Sequence, residues 1–171
     1  MSQFVISSTG LFIPPHTITN EELVEAFNKY VEKFNTEHAA EIEAGETEAL
    51  VGSSPEFIEK ASGIKSRYAM YKDGIIDPNI MHPTFPMTGE GKTPEMVTMG
   101  IAAAKQAMAE AGKTADDIDL IVVSSTFRQR DYPGISVEIQ RDLGIKGSAY
   151  DMGIACSSAT FGMINAYAAL A

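Results

Sequence analysis

The last third of the chain constrains the fold most, because apolar strands and helices alternate there with short links. Ile118-Asp-Leu-Ile-Val-Val-Ser124 is a nearly continuous apolar run, as a strand covered on both faces requires. A loop, TFRQRDYPG, leads into a helix over Ile135–Leu143 that Gly144 stops. Ser148–Met152 reads as another strand, and Gly153-Ile-Ala-Cys-Ser-Ser-Ala-Thr-Phe-Gly162 as a strand-to-helix turn. Residues 157–171 then form a helix with almost no charge, and a helix apolar on all sides is expected to be buried on all sides. Short strand–helix–strand crossovers favour parallel pairing, so the class is α/β.

The earlier chain fits the same class. Residues 3–8 read as a short apolar strand ending at Gly10, before the Pro14-Pro15 loop. Thr19 and Glu22 have capping-box spacing and open a helix through Leu23, Phe27, Tyr30, Val31 and Phe34. The acidic stretch after it predicts a second helix or a bent continuation, broken near Gly45. Ser53 and Glu56 repeat the capping-box spacing, with Pro55 in the first turn and Gly63 as the stop. Residues 70–93 carry turn signals and weak periodicity, and read as an excursion from the core. Thr93-Pro94-Glu95 begins a helix whose broad face is Met96, Val97, Ile101, Ala104, Met108 and Ala111, ending at Gly112.

Charge and composition exclude several functions. Among 171 residues, 13 are Lys or Arg and 23 are Asp or Glu, a net −10 that repels a phosphate backbone. The nearest basic stripe, Arg128, Arg130 and Arg141, is interrupted by Asp131 and Asp142, so nucleic acid is not an expected partner. No run approaches the length of a membrane span, and the N-terminus lacks the pattern of a secretory signal, which leaves the cytoplasm as the default compartment. His16, His38 and His82 lie in a Pro-rich loop, an acidic helix and the excursion, and read as surface residues. The acidic excess reads as a solvated surface with no metal cluster.

The single cysteine, Cys156, is either a buried small hydrophobe or a nucleophile. It stands where a strand ends and a helix begins, and the free amides of a helix's first turn favour a thiolate. Gly153, Ala155, Ser157, Ser158, Ala159 and Gly162 are small, so a substrate has room to reach the sulfur. A backbone amide at such a turn is also a ready oxyanion donor.

Tyr150-Asp-Met-Gly-Ile-Ala-Cys156-Ser-Ser-Ala-Thr-Phe-Gly162 resembles the active-site segment of the β-ketoacyl-acyl carrier protein synthase III family, one branch of the thiolase-fold condensing enzymes. Further matches follow in the family's order: Ile6–Gly10 with Pro14, Ala61-Ser-Gly-Ile-Lys-Ser-Arg67, Thr98–Ala104, Asp119–Ser124 and Leu143-Gly-Ile-Lys-Gly147. The best-known members carry Ala-Gly where this chain has Ser157-Ser158. The resemblance implies a thiolase-like first half, residues 1–171, with a mixed or parallel sheet and a buried central helix. It implies an acyl-cysteine at Cys156, formed from acyl-CoA or acyl-carrier protein. Condensation with malonyl-carrier protein would follow in fatty acid biosynthesis, by an enzyme that forms a homodimer and needs no cofactor.

Other positions carry over from the same resemblance. Phe57 falls where many relatives stack a tryptophan on the CoA adenine, and Ala61 where they place an arginine. Ser53 and Ser62 match hydroxyl positions near the nucleotide, although Ser53 reads equally as a helix cap. Tyr132 matches an aromatic that closes the partner subunit's acyl tunnel, or packs the interface. Residues 28–52 and 70–93 are longer than in compact members; their apolar residues would wall a wider channel, for medium or long acyl chains, or enlarge the dimer interface. Family members run to about twice this length, since the fold duplicates its half. Their second half supplies a histidine and an asparagine that match no motif here. The first half alone leaves two other readings open: a non-catalytic fragment or subunit pairing with a second polypeptide, and another condensing branch such as hydroxymethylglutaryl-CoA synthase.

Overall fold

The computed structural model describes residues 4–85, 92–128 and 130–170, which form two compact units. One unit is Ile13–Thr88. In it a strand, β1 (His16–Thr19), leads directly into α1 (Asn20–Glu37), α2 (Ala39–Glu43), α3 (Pro55–Ser62) and β2 (Ser66–Ala69). The Thr19–Glu22 capping box forms as the spacing predicts: the Glu22 amide donates to the Thr19 hydroxyl at 3.3 Å, and the Thr19 amide to Glu22 Oε2 at 3.0 Å. Lys72 donates to the other oxygen of Glu22, and these bonds, the lysine's first, hold that carboxyl below its ordinary range.

β1 and β2 pair antiparallel, Ile18 opposite Arg67, a pairing the sequence did not signal. Ile18 is fully buried, with Val24, Ala26 and Val31 of α1 close to fully so. Buried Asn20 joins the start of α1 to the far strand: its amide group donates to Ile64 O at 2.7 Å, and its Oδ1 accepts from Arg67 at 2.9 Å. The break near Gly45 is present, with Gly45 at φ 74° after α2.

The cap of α3 differs from expectation by one residue. Ser54, not Ser53, accepts from the Phe57 amide, at 3.1 Å. Pro55 is the reason: it has no N–H, suits the first helical position, and so assigns the cap to the residue before it. Residues 70–85 hold turns without helix or strand, while 86–91 of the predicted excursion lie outside the described residues.

The other unit is Met1–Phe12 with Gly89–Ala171, built on α4 (Glu95–Glu110), β3 (Leu120–Ser124), α5 (Ile135–Leu143), β4 (Ser148–Met152) and α6 (Ser158–Leu170). β3 and β4 pair in parallel, Leu120 opposite Ser148 through Ser124 opposite Met152, as the short crossover predicts. Alternation divides the two faces of β3. Ile121 and Val123 pack on the core of Val97, Ile135 and Ile139 from α4 and α5. Leu120, Val122 and Ser124 line a groove with α6 instead. Gly100 lets α4 and α5 close: a Cβ there would meet Ile139 Cδ1 at 2.5 Å.

Two expectations fail in this unit. Residues 4–10 form no strand; they lie along α4, where Ser8 donates to Ala107 O at 2.7 Å and Gly10 approaches the Ala103 carbonyl. Among the described residues no neighbouring strand is available to pair with them, so the apolar run is extended without a ladder, and Val5 and Ile6 are exposed. The helix expected to be buried on all sides, α6, is not. Its Ser158 and Gly162 are buried against β3, but Phe161, Met163, Ile164, Tyr167 and Leu170 face outward. Among the described residues, α6 packs on β3 and β4 along one side, and Tyr167 meets Phe4 edge to face at 5.0 Å.

Candidate active site around Cys156

Ligands of open parallel sheets bind beyond the carboxyl ends of the strands. Here β3 ends at Ser124, β4 at Met152, and the chain turns into α6 through one 3-10 turn, Ala155–Ser157. Cys156 sits in that turn and is exposed, which removes the buried-hydrophobe reading. With Ser124, Ser125, Thr126 and Ala155 it lines an open cleft of about 520 Å³. An adjoining cleft of about 610 Å³ runs along Phe127, Arg128 and Asp131.

The turn is held by short-range bonds. Ala155 adopts φ 44°, a left-handed conformation that costs a non-glycine residue about 1 kcal/mol or more. The buried Ser158 hydroxyl spans it, accepting from the Ile154 amide and donating to Ala155 O, both at 2.8 Å. The Ser157 amide donates to Ile154 O at 3.1 Å. Across the cleft, Ser125 closes a loop, its hydroxyl donating to Phe127 O at 2.8 Å while its amide donates to Met152 O at 3.1 Å.

Asp151, near the end of β4, caps α5 from a distance in sequence. Its oxygens accept from the Ile135 amide at 2.9 Å and the Ser136 amide at 2.8 Å, placing a carboxylate at the positive end of the helix. The loop between β3 and α5 has a second anchor. Arg130 pairs with Glu138, whose side chain is only 2% exposed and has this guanidinium to offset its buried charge. Substituting Asp151 by Ala is expected to cost about 1–2 kcal/mol, as for a lost N-cap, and a denaturant melt checks it. Asn, which keeps one acceptor oxygen, should lose roughly half as much.

The remaining sequence-selected residues lie in the other unit or on the loop. Ser53 is held through its backbone, its amide donating to Asn28 Oδ1 at 2.9 Å and its carbonyl accepting from Asn28 Nδ2 at 3.1 Å. Phe57 is exposed on α3. Ser62 Oγ donates to Ile58 O at 2.6 Å and accepts from the Ile64 amide at 3.1 Å, so one acceptor position is left. Tyr132, 88% exposed, stands on the loop before α5. His16 and His82 are exposed, while His38 stacks on Phe34 at 4.2 Å. Among the described residues, no group of three His, Cys, Asp or Glu side chains is placed to hold a metal ion, and no helix is long and apolar enough to cross a membrane.

Sequence reasoning missed Asp151 and the Ser158 bonds. Asp151 lies 16 residues from the amide it caps, outside any local capping pattern. Ser158 was legible only as one small residue among several.

No protein-family model matches the chain. The chain is 50% identical over 140 residues to a β-ketodecanoyl-[acyl-carrier-protein] synthase of Pseudomonas aeruginosa, covering 82% of this chain and 40% of that protein. It is 34% identical over 167 residues to a β-ketoacyl-[acyl-carrier-protein] synthase III of Rhizobium meliloti, covering 97% of this chain and 38% of the other. Among solved structures, 3-oxoacyl-[acyl-carrier-protein] synthase III of Aquifex aeolicus superposes with a TM-score of 0.60 at 23% identity, over 93% of this chain and 37% of that one. A tetronic acid condensing enzyme reaches 0.63 at 18% identity, over 96% and 39%. The chain therefore spans about two-fifths of the length of the curated relatives it matches. Over that span, with its α/β, thiolase-like fold, it belongs to the β-ketoacyl-[acyl-carrier-protein] synthase III family.

Proposed function

We propose that residues 1–171 are the N-terminal, nucleophile-bearing portion of a β-ketoacyl synthase III-like acyltransferase of fatty acid biosynthesis. The observation that carries this reading is the exposed Cys156, alone of its kind, in a cleft at the carboxyl ends of a parallel strand pair and at the start of α6. The Cys156 thiolate attacks the carbonyl of an acyl thioester. A carbon–sulfur bond forms, the donor's breaks, and its thiolate leaves to take up a proton. Malonyl-carrier protein then loses carbon dioxide, the resulting carbanion attacks the acyl-cysteine carbonyl, and the Cys156 thiolate is released with a β-ketoacyl product. The histidine and asparagine that the family uses on the malonyl group match no residue of this chain, so condensation requires sequence beyond it.

The donor is acyl-CoA or acyl-carrier protein, and the working enzyme is a cytoplasmic homodimer. Phe57 offers a stacking face for an adenine; Ser53 and Ser62 are the hydroxyls nearest the nucleotide, with Ser62 acting as acceptor. Tyr132 reaches toward the partner's acyl tunnel. Residues 28–52 and 70–93 are insertions relative to compact members. Chain length follows from the relative at 50% identity, named for a β-ketodecanoyl product. Extension by malonyl adds two carbons, so the primer that fits such a product is octanoyl.

The test is peptide-mapped mass spectrometry of the intact protein after incubation with two series of donors from acetyl to palmitoyl, one as acyl-CoA and one as acyl-carrier protein. An acyl adduct on Cys156, greatest at medium length, is the expected result. A profile that peaks at acetyl would reject the medium-chain assignment, and no adduct with any donor would reject the acyl-cysteine itself.

A further inference from the structure

We propose that Ser158 is a positioning residue for the Cys156 nucleophile, acting through the turn that precedes it. The inference rests on the acyl-cysteine reading above and assigns to this side chain a task that small neighbours do not share. Ser158 is the buried hydroxyl of the site, 3% exposed, while Cys156 beside it is exposed. It holds the Gly153–Ile154 and Ala155–Cys156 peptides, which bracket Ile154 and Ala155, taking a bond from the Ile154 amide and giving one to Ala155 O, each 2.8 Å long. Ala155 is the residue at φ 44°, a conformation that an L side chain leaves when nothing holds it. Because Ala155 immediately precedes Cys156, its dihedral angles set the direction of the Cα–Cβ bond that carries the sulfur. Fixing them aims the sulfur at the cleft of Ser124, Ser125 and Thr126 and keeps it at the first turn of α6.

A serine can do this where glycine cannot, since the clamp is made by the hydroxyl. The chain thus uses a side chain at a position where the best-known members of the family carry Gly. Loss of the hydroxyl releases Ala155 and leaves the sulfur to sample other directions. Since Cys156 is already exposed, access does not limit its reactions, and a slower rate reports orientation and surroundings.

The experiment measures iodoacetamide alkylation of Cys156 in the intact protein at one fixed pH, by peptide mapping, for Ser158→Ala, Ser158→Gly and Ser158→Thr. Thermal melts are recorded alongside, and rates are compared among variants that melt cooperatively. Ala and Gly variants should alkylate on the order of tenfold more slowly, and Thr, which restores the hydroxyl, should recover most of the loss. Ser157→Ala, at the adjacent exposed hydroxyl, should alkylate at the original rate. A folded Ala or Gly variant that alkylates at the original rate overturns the proposal, even if its melting temperature falls. Acylation by the donor series is read separately. Absence of an acyl adduct with a normal alkylation response to Ser158 would reject the enzymatic reading and keep the positioning one.

Discussion

Replacing Cys156 by Ala is expected to abolish the acyl adduct and to lower condensation in the intact enzyme by roughly a thousandfold or more. No other thiol exists in this chain, and among the described residues the polar side chains lining the cleft besides Cys156 are hydroxyls, from Ser124, Ser125, Thr126 and Ser158. A hydroxyl is a weak nucleophile at its free pKa and needs an adjacent base, and among the described residues the lining of this cleft includes no His, Asp, Glu or Lys. Cys156→Ser should therefore be nearly as inactive as Cys156→Ala, although it conserves size. Neither change should disturb the fold, because the side chain is exposed; a shift within about 0.5 kcal/mol is expected. Mass spectrometry and single-turnover condensation check the two halves of the claim. Condensation that survives in either variant would remove Cys156 from the mechanism.

The position of that cysteine was legible because its signals are local. A strand pattern, a run of small residues and an uncharged helix follow one another within about two dozen positions, and β4 and α5 appear with the predicted bounds. Gly144 stops α5 in the left-handed conformation that its identity suggests, and Thr19 and Glu22 cap α1 as their spacing requires. What was not legible depends on distance along the chain or on context. β1 and β2 are four residues each and meet across about fifty positions, too short and too separated for periodicity to reveal. The strand expected at residues 3–8 has the right composition, but a strand exists only where a partner is present. The left-handed Ala155 carries no glycine to announce it, so neither the turn nor its Ser158 clamp could be read. Helix α6 joins both kinds of evidence. Its lack of charge specifies burial, yet among the described residues Phe161, Met163, Ile164, Tyr167 and Leu170 of its outward face are exposed.

Gly147→Ala should produce a large loss of stability in the β3–β4 unit. A Cβ at this position would lie 2.1 Å from the Asp119 carbonyl oxygen and 2.3 Å from its carbon. Both are backbone atoms, with no side-chain torsion to relieve the overlap. The same carbonyl accepts from the Ser148 amide at 2.8 Å, at the point where the parallel pair begins. The added methyl thus forces apart the residues that start the register, with overpacking and a lost ladder bond acting together. A cost of about 3 kcal/mol follows, which for a chain of this size lowers the melting temperature by roughly 6–12 °C. Gly162→Ala supplies the contrast. Its Cβ would meet Ser124 Oγ at 2.4 Å, but that hydroxyl can swing to another rotamer, and the next atoms lie at 3.5 Å and beyond. It should melt much closer to the unsubstituted protein. Gly147 sits at the opposite end of β4 from Cys156, so the folded fraction of Gly147→Ala should still alkylate normally. Equal melting temperatures for the two variants would show that the strands yield at Gly147 as easily as a serine rotates, and the steric account of this glycine would fail.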